Sequence, residues 1–218
     1  MTEEPRRRRL PPEERRRRIL GAALELFARG GYRASMGEVA RAAGVTRTVL
    51  YHYFPSKSGL FLSVLETQAS ELLRHLAPAV AGEGTQAERA RRTVEAMLAF
   101  VEERPLAWQV LFDHRGEDEP EVAAAHRRIH ATMMSAAGVL FASDMTSAGL
   151  EADSARAAVM GEMSLGAIDA VVTWWGAHPG VPRPTVADAA FDLLWHGVAG
   201  LPERAGGAAR ARAPRRSR

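Results

Sequence analysis

SMGEVARAAGVTRTVLYHYFPSK, residues 35–57, decides how the rest of the chain is read. Ser35 and Glu38 have the S-x-x-E form of a capping box, which predicts a helix beginning at Met36. Met36, Val39, Ala40 and Ala43 fall at helical spacing, and Gly44 can take the left-handed conformation that ends a helix. Thr46 is suited to cap a second helix running to about Tyr53, and Pro55 prevents its continuation. At about 100° per residue, Val49, Leu50 and Tyr53 share one side of that helix, and Arg47, Thr48, Tyr51 and His52 share the other. Two helices joined by a Gly-containing turn, the second with a polar and basic outer face, form the helix-turn-helix pattern. An ordinary helical hairpin with a solvated face would read the same way.

Charge favours the first of these readings. Residues 1–57 hold 13 basic and 6 acidic side chains, residues 58–201 hold 10 and 19, and residues 202–218 hold 6 and 1. The basic end coincides with the two-helix stretch and the middle is acidic, so a partner with a polyanionic backbone is implied. Lys57 is the single lysine among 29 basic residues. Alanine, leucine, arginine and glutamate dominate, and strand-forming runs are scarce, which predicts an all-α protein. At 218 residues the chain can build one large or two small cores. We expect no transmembrane span, for want of 18 consecutive apolar residues, and no signal peptide, because the Arg-rich start lacks an apolar segment. Without cysteine there are no disulfides and no thiolate chemistry, which suits a cytoplasmic protein.

Working outward, residues 1–12 are expected to form a disordered basic arm, since Arg6 to Arg9 lie among Pro5, Pro11 and Pro12. It would either enter a minor groove or remain a solubilising tail. A first helix should span about Glu13 to Arg29, with Ile19, Leu20, Ala23, Leu24 and Phe27 as its packing stripe and Gly30-Gly31 as its stop. Arg15 to Arg18 at its start oppose the helix dipole, which nearby phosphates would relieve. Ser56 should cap a fourth helix ending at about Ala77, before Pro78, followed by a loop at 79–84. Thr85 and Glu88 form another capping box, for a helix to about Glu103. Pro105 suits the first position of a short helix. A turn at 116–120, a helix from about Glu121 to Phe141 and a loop at 143–149 should follow.

The last two helices are expected at about Asp153–His178 and Thr185–Leu201. The first carries Val159, Met163, Ala170 and Trp174 on one side and Leu165, Ile168, Val172 and Trp175 on the other, so both sides should be buried. The second carries Val186, Ala189, Ala190, Leu193, Leu194, Gly197 and Val198, with Phe191 and Trp195 as a further apolar side. One domain of this size can bury one such helix; two suggest a second subunit, although both could be core. Residues 202–218 should be a disordered basic tail.

The run ILGAALELFARGGYRASMGEVARAAGVTRTVLYHYFPSKSGLF, residues 19–61, resembles the DNA-binding domain of the TetR family of bacterial transcriptional regulators. The likeness rests on A-x-x-L-F-x-x-x-G-Y, V-A-x-x-A-G-V and L-Y-H-Y-F-P-S-K, in order and at the family's spacing. It covers about a quarter of the chain; beyond it only length and helical character agree. Gly37 departs from the acidic or basic residue common in the family, so a DNA-backbone contact from that position is in doubt. The resemblance implies a three-helix helix-turn-helix domain (13–55), a helical ligand-binding and dimerisation domain (56–201) and a fourth helix that carries movement between them. It also implies a homodimer through the last two long helices, an operator of double-stranded DNA and a small-molecule effector, most often with repression.

Chemistry sharpens the residue assignments. Arg47 and Thr48, at the start of the second helix of the motif, are the candidates for base edges, Arg47 toward guanine O6 and N7. Ser35, Thr46, Tyr51, His52 and Lys57 are the candidates for phosphates. Phe100, Trp108, Phe112, Met133, Met134, Met163 and Trp174 could line a ligand pocket, with Asp113, His130 and Asp169 as its polar groups. Met and Trp would suit a lipophilic effector. His126 and His130 stand one helical turn apart, a spacing that can hold zinc, but H-E-x-x-H is absent. No Walker A, G-x-G-x-x-G or serine or cysteine nucleophile motif occurs, so no enzymatic role, cofactor or metal is expected. Two other readings stay open, a nonspecific DNA-coating protein and a metal-binding or enzymatic bundle around the two histidines.

Overall fold

Burial along the first helix follows its apolar stripe. In the computed structural model α1 (Pro12–Gly30) buries Ile19, Leu20, Ala23, Phe27 and Ala28. Residues 11–112, 120–147, 151 and 154–196 are described, with the backbone alone for 136–147. The helix stops where Gly31 takes φ 61°, ψ −159°, a conformation open in practice only to glycine. Glu13 and Glu14 in its first turn offset the arginine run that follows them.

A 3-10 turn, Gly31–Arg33, leads to α2 (Met36–Ala43), α3 (Arg47–Tyr53) and α4 (Lys57–Ala81). Then come α5 (Gln86–Glu103), α6 (Pro105–Phe112), α7 (Pro120–Ser147), α8 (Ala155–Gly176) and a ninth helix, α9, over residues 183–196. No strand occurs among the described residues, and the chain is all-α.

Two compact units make up the chain, one of Met1–Glu71 with Arg104–Thr132 and one of Leu72–Glu103 with Met133–Arg218. The first is built on an aromatic cluster. Phe61 of α4 meets the Phe27 ring edge-on at 5.1 Å and the Tyr32 ring at 5.3 Å, and His126 of α7 lies 5.6 Å from Phe61. The Tyr32 hydroxyl donates to Glu121 at 3.0 Å, and a His126 Nε2 proton can reach the Val110 carbonyl at 3.3 Å. Helices α6 and α7 are thereby tied to the head formed by α1–α3. Arg104 pairs with Glu71 at the edge of the same unit.

The second unit packs Leu72, Leu76 and Val80 of α4, Val94, Leu98 and Phe100 of α5, Met133, and Ile168 and Val172 of α8. Helix α9 adds Val186, Ala190 and Phe191. Its seat on α5 is fixed by charge: Arg91 pairs with Asp188 and lies 4.5 Å over the Phe191 ring, and Arg183 donates to Glu102 at 2.7 Å. Between α8 and α9 the Trp175 indole N–H donates to the Val181 carbonyl at 2.8 Å.

Two expectations need correction. Pro78 does not end α4, which continues to Ala81, and the expected loop at 79–84 is confined to 82–84. A proline one turn from a helix end sacrifices a single backbone bond, so the last turn can still close. Helix α7 runs to Ser147, past the expected end at Phe141, because its Ser, Asp and Thr residues are weak helix formers but not breakers.

Helix α8 is covered by its own chain on one apolar side only. Ile168 and Val172 face inward, whereas Val159 is 57%, Met163 69% and Trp174 50% exposed. By length and composition alone α8 is long and apolar enough to cross a bilayer, with 17% of its most apolar window buried. Its apolar residues include the exposed row that a single chain does not cover. The expected arm and tail, the turn before Pro120, Asp113, and Gly197 and Val198 lie outside the described residues, apart from Pro11 and Pro12.

Candidate nucleic-acid interface

Helix α2 is held at both ends by its own sequence. The Ser35 hydroxyl accepts from the Glu38 N–H at 3.2 Å, and the Glu38 carboxylate accepts from the Ser35 N–H at 2.7 Å. Both halves of the predicted capping box are therefore made. Gly44 sits at φ 64°, ψ 35°, with its N–H directed at the carbonyls of Ala40 and Arg41. That left-handed residue turns the chain so that Thr46 can cap α3 by accepting from the Val49 N–H at 3.3 Å. Helix α3 then has one possible rotation, because Leu50 is wholly buried and Phe54 nearly so.

With Leu50 inward, Arg47, Thr48, Tyr51 and His52 are exposed together, and Val49 and Tyr53 lie half-buried at the margins. Tyr51 is 48% exposed, a large surface for an aromatic side chain. Lys57 opens α4, its Nζ 4.1 Å over the Tyr32 ring, a cation–π contact that holds the ammonium close to the head. The Ser35 hydroxyl also donates to Glu38 at 2.7 Å, so its group is engaged in capping. Thr46 uses its oxygen as an acceptor, which leaves a proton to donate outward.

Sequence reasoning left two arginines of α1 without a place in the site and did not foresee one seat on α2. Arg16 places its guanidinium 5.3 Å from the Phe54 ring. Arg18 reaches across the turn to within 2.8 Å of where a Cβ on Gly44 would stand. The seat is Gly37, over which the Arg47 guanidinium lies. The run Arg15 to Arg18 carried the signal for the first two, since a basic block on a helix packed beside the motif extends the same charged surface.

Hydrogen bonds from the Ser35 backbone, then from its hydroxyl, hold the Glu38 carboxyl below the ordinary value of 4.5, and Arg41 and Lys57 add to this. Glu88 is lowered likewise by Thr85. A depressed folded-state pKa gives stability that is fully present above the unfolded value and is lost as pH falls through the folded one. We expect the Tm difference between wild type and Glu38→Gln to shrink as pH is lowered from about 6 to about 3. A constant difference across that range in thermal melts would show that the box adds no pH-dependent stability.

The ligand-pocket candidates scatter. Phe100 and Met133 are buried in the second unit, and Trp108 and Phe112 stack at 4.0 Å in the first. Met163 and Trp174 stand on the exposed row of α8 and line no interior of the single chain. The Trp174 ring instead stacks on His178 at 4.2 Å. A uniformly apolar helix does not tell which side its own chain covers. Met134 packs in the second unit, its Cε 2.6 Å from the point a Cβ on Gly161 would take. His130 and Asp169 are half-buried. Among the described residues no three His, Cys, Asp or Glu side chains gather as a metal site.

Comparison with known proteins agrees with this geometry. The family described as bacterial regulatory proteins, tetR family, matches residues 19–64, from within α1 to the first part of α4. The HTH-type transcriptional activator FasR of Mycolicibacterium smegmatis is 30% identical over 185 residues, 84% of this chain and 83% of that protein. A TetR-like transcriptional regulator from Rhodococcus sp. RHA1 superposes with a TM-score of 0.68 at 25% identity, covering 88% of this chain and all of its own. FadR of Bacillus subtilis, solved with stearoyl-CoA, superposes at 0.70 with 18% identity over 84% of this chain and 98% of its own. The capped two-helix head with its exposed basic face and the FasR likeness over most of both lengths identify the chain as a member of the TetR family, a transcriptional regulator with a helix-turn-helix DNA-binding domain.

Proposed function

We propose that the chain acts as a cytoplasmic homodimer that binds a roughly palindromic operator and changes its grip when a small lipophilic molecule enters the helical domain. The observation that carries this is the outward set of Arg47, Thr48, Tyr51 and His52 on a helix anchored by buried Leu50. Arg47 and Thr48 read base edges; Thr46, Tyr51, His52 and Lys57 hold phosphates and set the register, while Ser35, whose hydroxyl and N–H both donate to Glu38, serves by capping α2. Function divides the chain into a DNA-binding part over 13–55 and a ligand-binding and dimerisation part over 56–201.

Dimerisation is supported by apolar surface that one chain leaves uncovered. Val159, Met160, Met163 and Trp174 of α8 and Leu193, Leu194 and Trp195 of α9 are all exposed. Large apolar exposure of this kind marks an interaction surface. A lipophilic effector is supported by buried Phe100 and Met133 of the second unit, and by the stearoyl-CoA found in the similarly folded FadR. The ligand would favour a dimer whose heads are wrongly spaced for successive major grooves. Repression relieved by the ligand is our first reading. The likeness to FasR, a transcriptional activator, favours activation as the second, and a reporter placed behind the bound site separates the two.

Selection of bound duplexes from a random pool tests the residue roles. Arg47→Ala should relax preference at one base pair and cost roughly 1–3 kcal/mol, whereas Lys57→Ala should weaken all sequences alike and reduce the salt slope by about one. An Arg47→Ala profile identical to wild type would remove Arg47 as a base reader. Repeating the selection with acyl-CoAs and aromatic compounds tests the effector class.

A further inference from the structure

We infer that Gly37 is a positioning residue for Arg47, and that the missing side chain at 37 sets where the Arg47 guanidinium can meet a base pair. This rests on the assignment of Arg47 as a base reader made above. Gly37 is the second residue of α2 and Arg47 the first of α3. The turn through Gly44 brings the two helix starts together. A Cβ built on Gly37 would stand 2.3 Å from Arg47 Nη2 and 2.9 Å from both Cζ and Nε. All three are atoms of the guanidinium, so the group lies against the α2 backbone in space that any side chain would take.

No hydrogen bond or ion pair among the described residues holds that guanidinium. Among the described residues its place is set by contact with the α2 backbone at Gly37. Glycine is a poor helix former, so α2 gains nothing for its own folding from having it here. A methyl group at 37 would displace the guanidinium, the free end of a flexible side chain, by about an ångström, which abolishes the seat without straining α2. Bidentate recognition of a base edge tolerates less than that, because both N–H groups must stay within hydrogen-bonding distance.

The test compares wild type, Gly37→Ala, Arg47→Ala and the double variant, all as full chains. Each is used in selection from a random duplex pool, followed by competition with single-base variants of the preferred site. Gly37→Ala should lower discrimination by roughly 5- to 100-fold at the base pair that Arg47→Ala also relaxes. Added to Arg47→Ala it should do nothing more, and its salt slope should match wild type. Its Tm should not fall, since alanine favours the helix, so lost preference cannot be ascribed to unfolding.

If Arg47→Ala relaxes a base pair while Gly37→Ala leaves the profile unchanged, or relaxes a different one, Gly37 does not position Arg47 and the base-reader assignment survives. An Arg47→Ala profile equal to wild type overturns both. In the free protein an NOE between the Arg47 Nε proton and the Gly37 α protons should be present. Its absence would overturn the seat whatever the DNA data show.

Discussion

A Met163→Glu, Trp174→Glu double variant should be monomeric in sedimentation velocity and should bind its operator roughly 10²–10⁴-fold more weakly than wild type. Both residues are largely exposed in the single chain, so its own fold should tolerate the change, and far-UV circular dichroism should be unaltered. In a dimer they would be buried, and two uncompensated carboxylates at such a contact cost several kcal/mol each. The loss in affinity follows because two linked heads engage two half-sites as one event, whereas a separated head gains nothing from the second. A variant that remained dimeric and kept its affinity would show that the copies meet elsewhere.

Phe27→Ala should destabilise the DNA-binding unit by about 3–5 kcal/mol, read from urea unfolding. The ring is 2% exposed and meets Phe61 edge-on and Tyr32 in a stacked arrangement, so removing it empties the centre of the first unit. Against the ~5–15 kcal/mol of a typical domain, that loss leaves little. Operator binding should then fail at temperatures where wild type is folded. A loss below about 1 kcal/mol would place the centre of that core away from α1.

The head was legible because its signals are local. Ser35 and Glu38 lie three residues apart, Gly44 is one residue with a required conformation, and a 3.6-residue period is enough to turn Leu50 inward and Arg47 outward. The α1 stripe was legible for the same reason. What the sequence did not yield depends on distant partners. Periodicity showed that α8 is apolar all round, but which side its own chain covers depends on where α5, α7 and α9 fall. Met163 and Trp174 were placed inside for that reason and are exposed. Pro78 misled because a breaker signal does not say how near the helix end it stands. The Gly37 seat is a contact between residues ten apart across a turn, and the absence of a side chain leaves no pattern to read.

Hydroxyl-radical footprinting of the full chain on its selected site tests most directly whether two copies each lay α3 in a major groove. The account predicts two protected patches related by two-fold symmetry on one face of the duplex, their centres about 10–10.5 base pairs apart or a multiple of that. A single patch, or protection with no phase along the duplex, would contradict it.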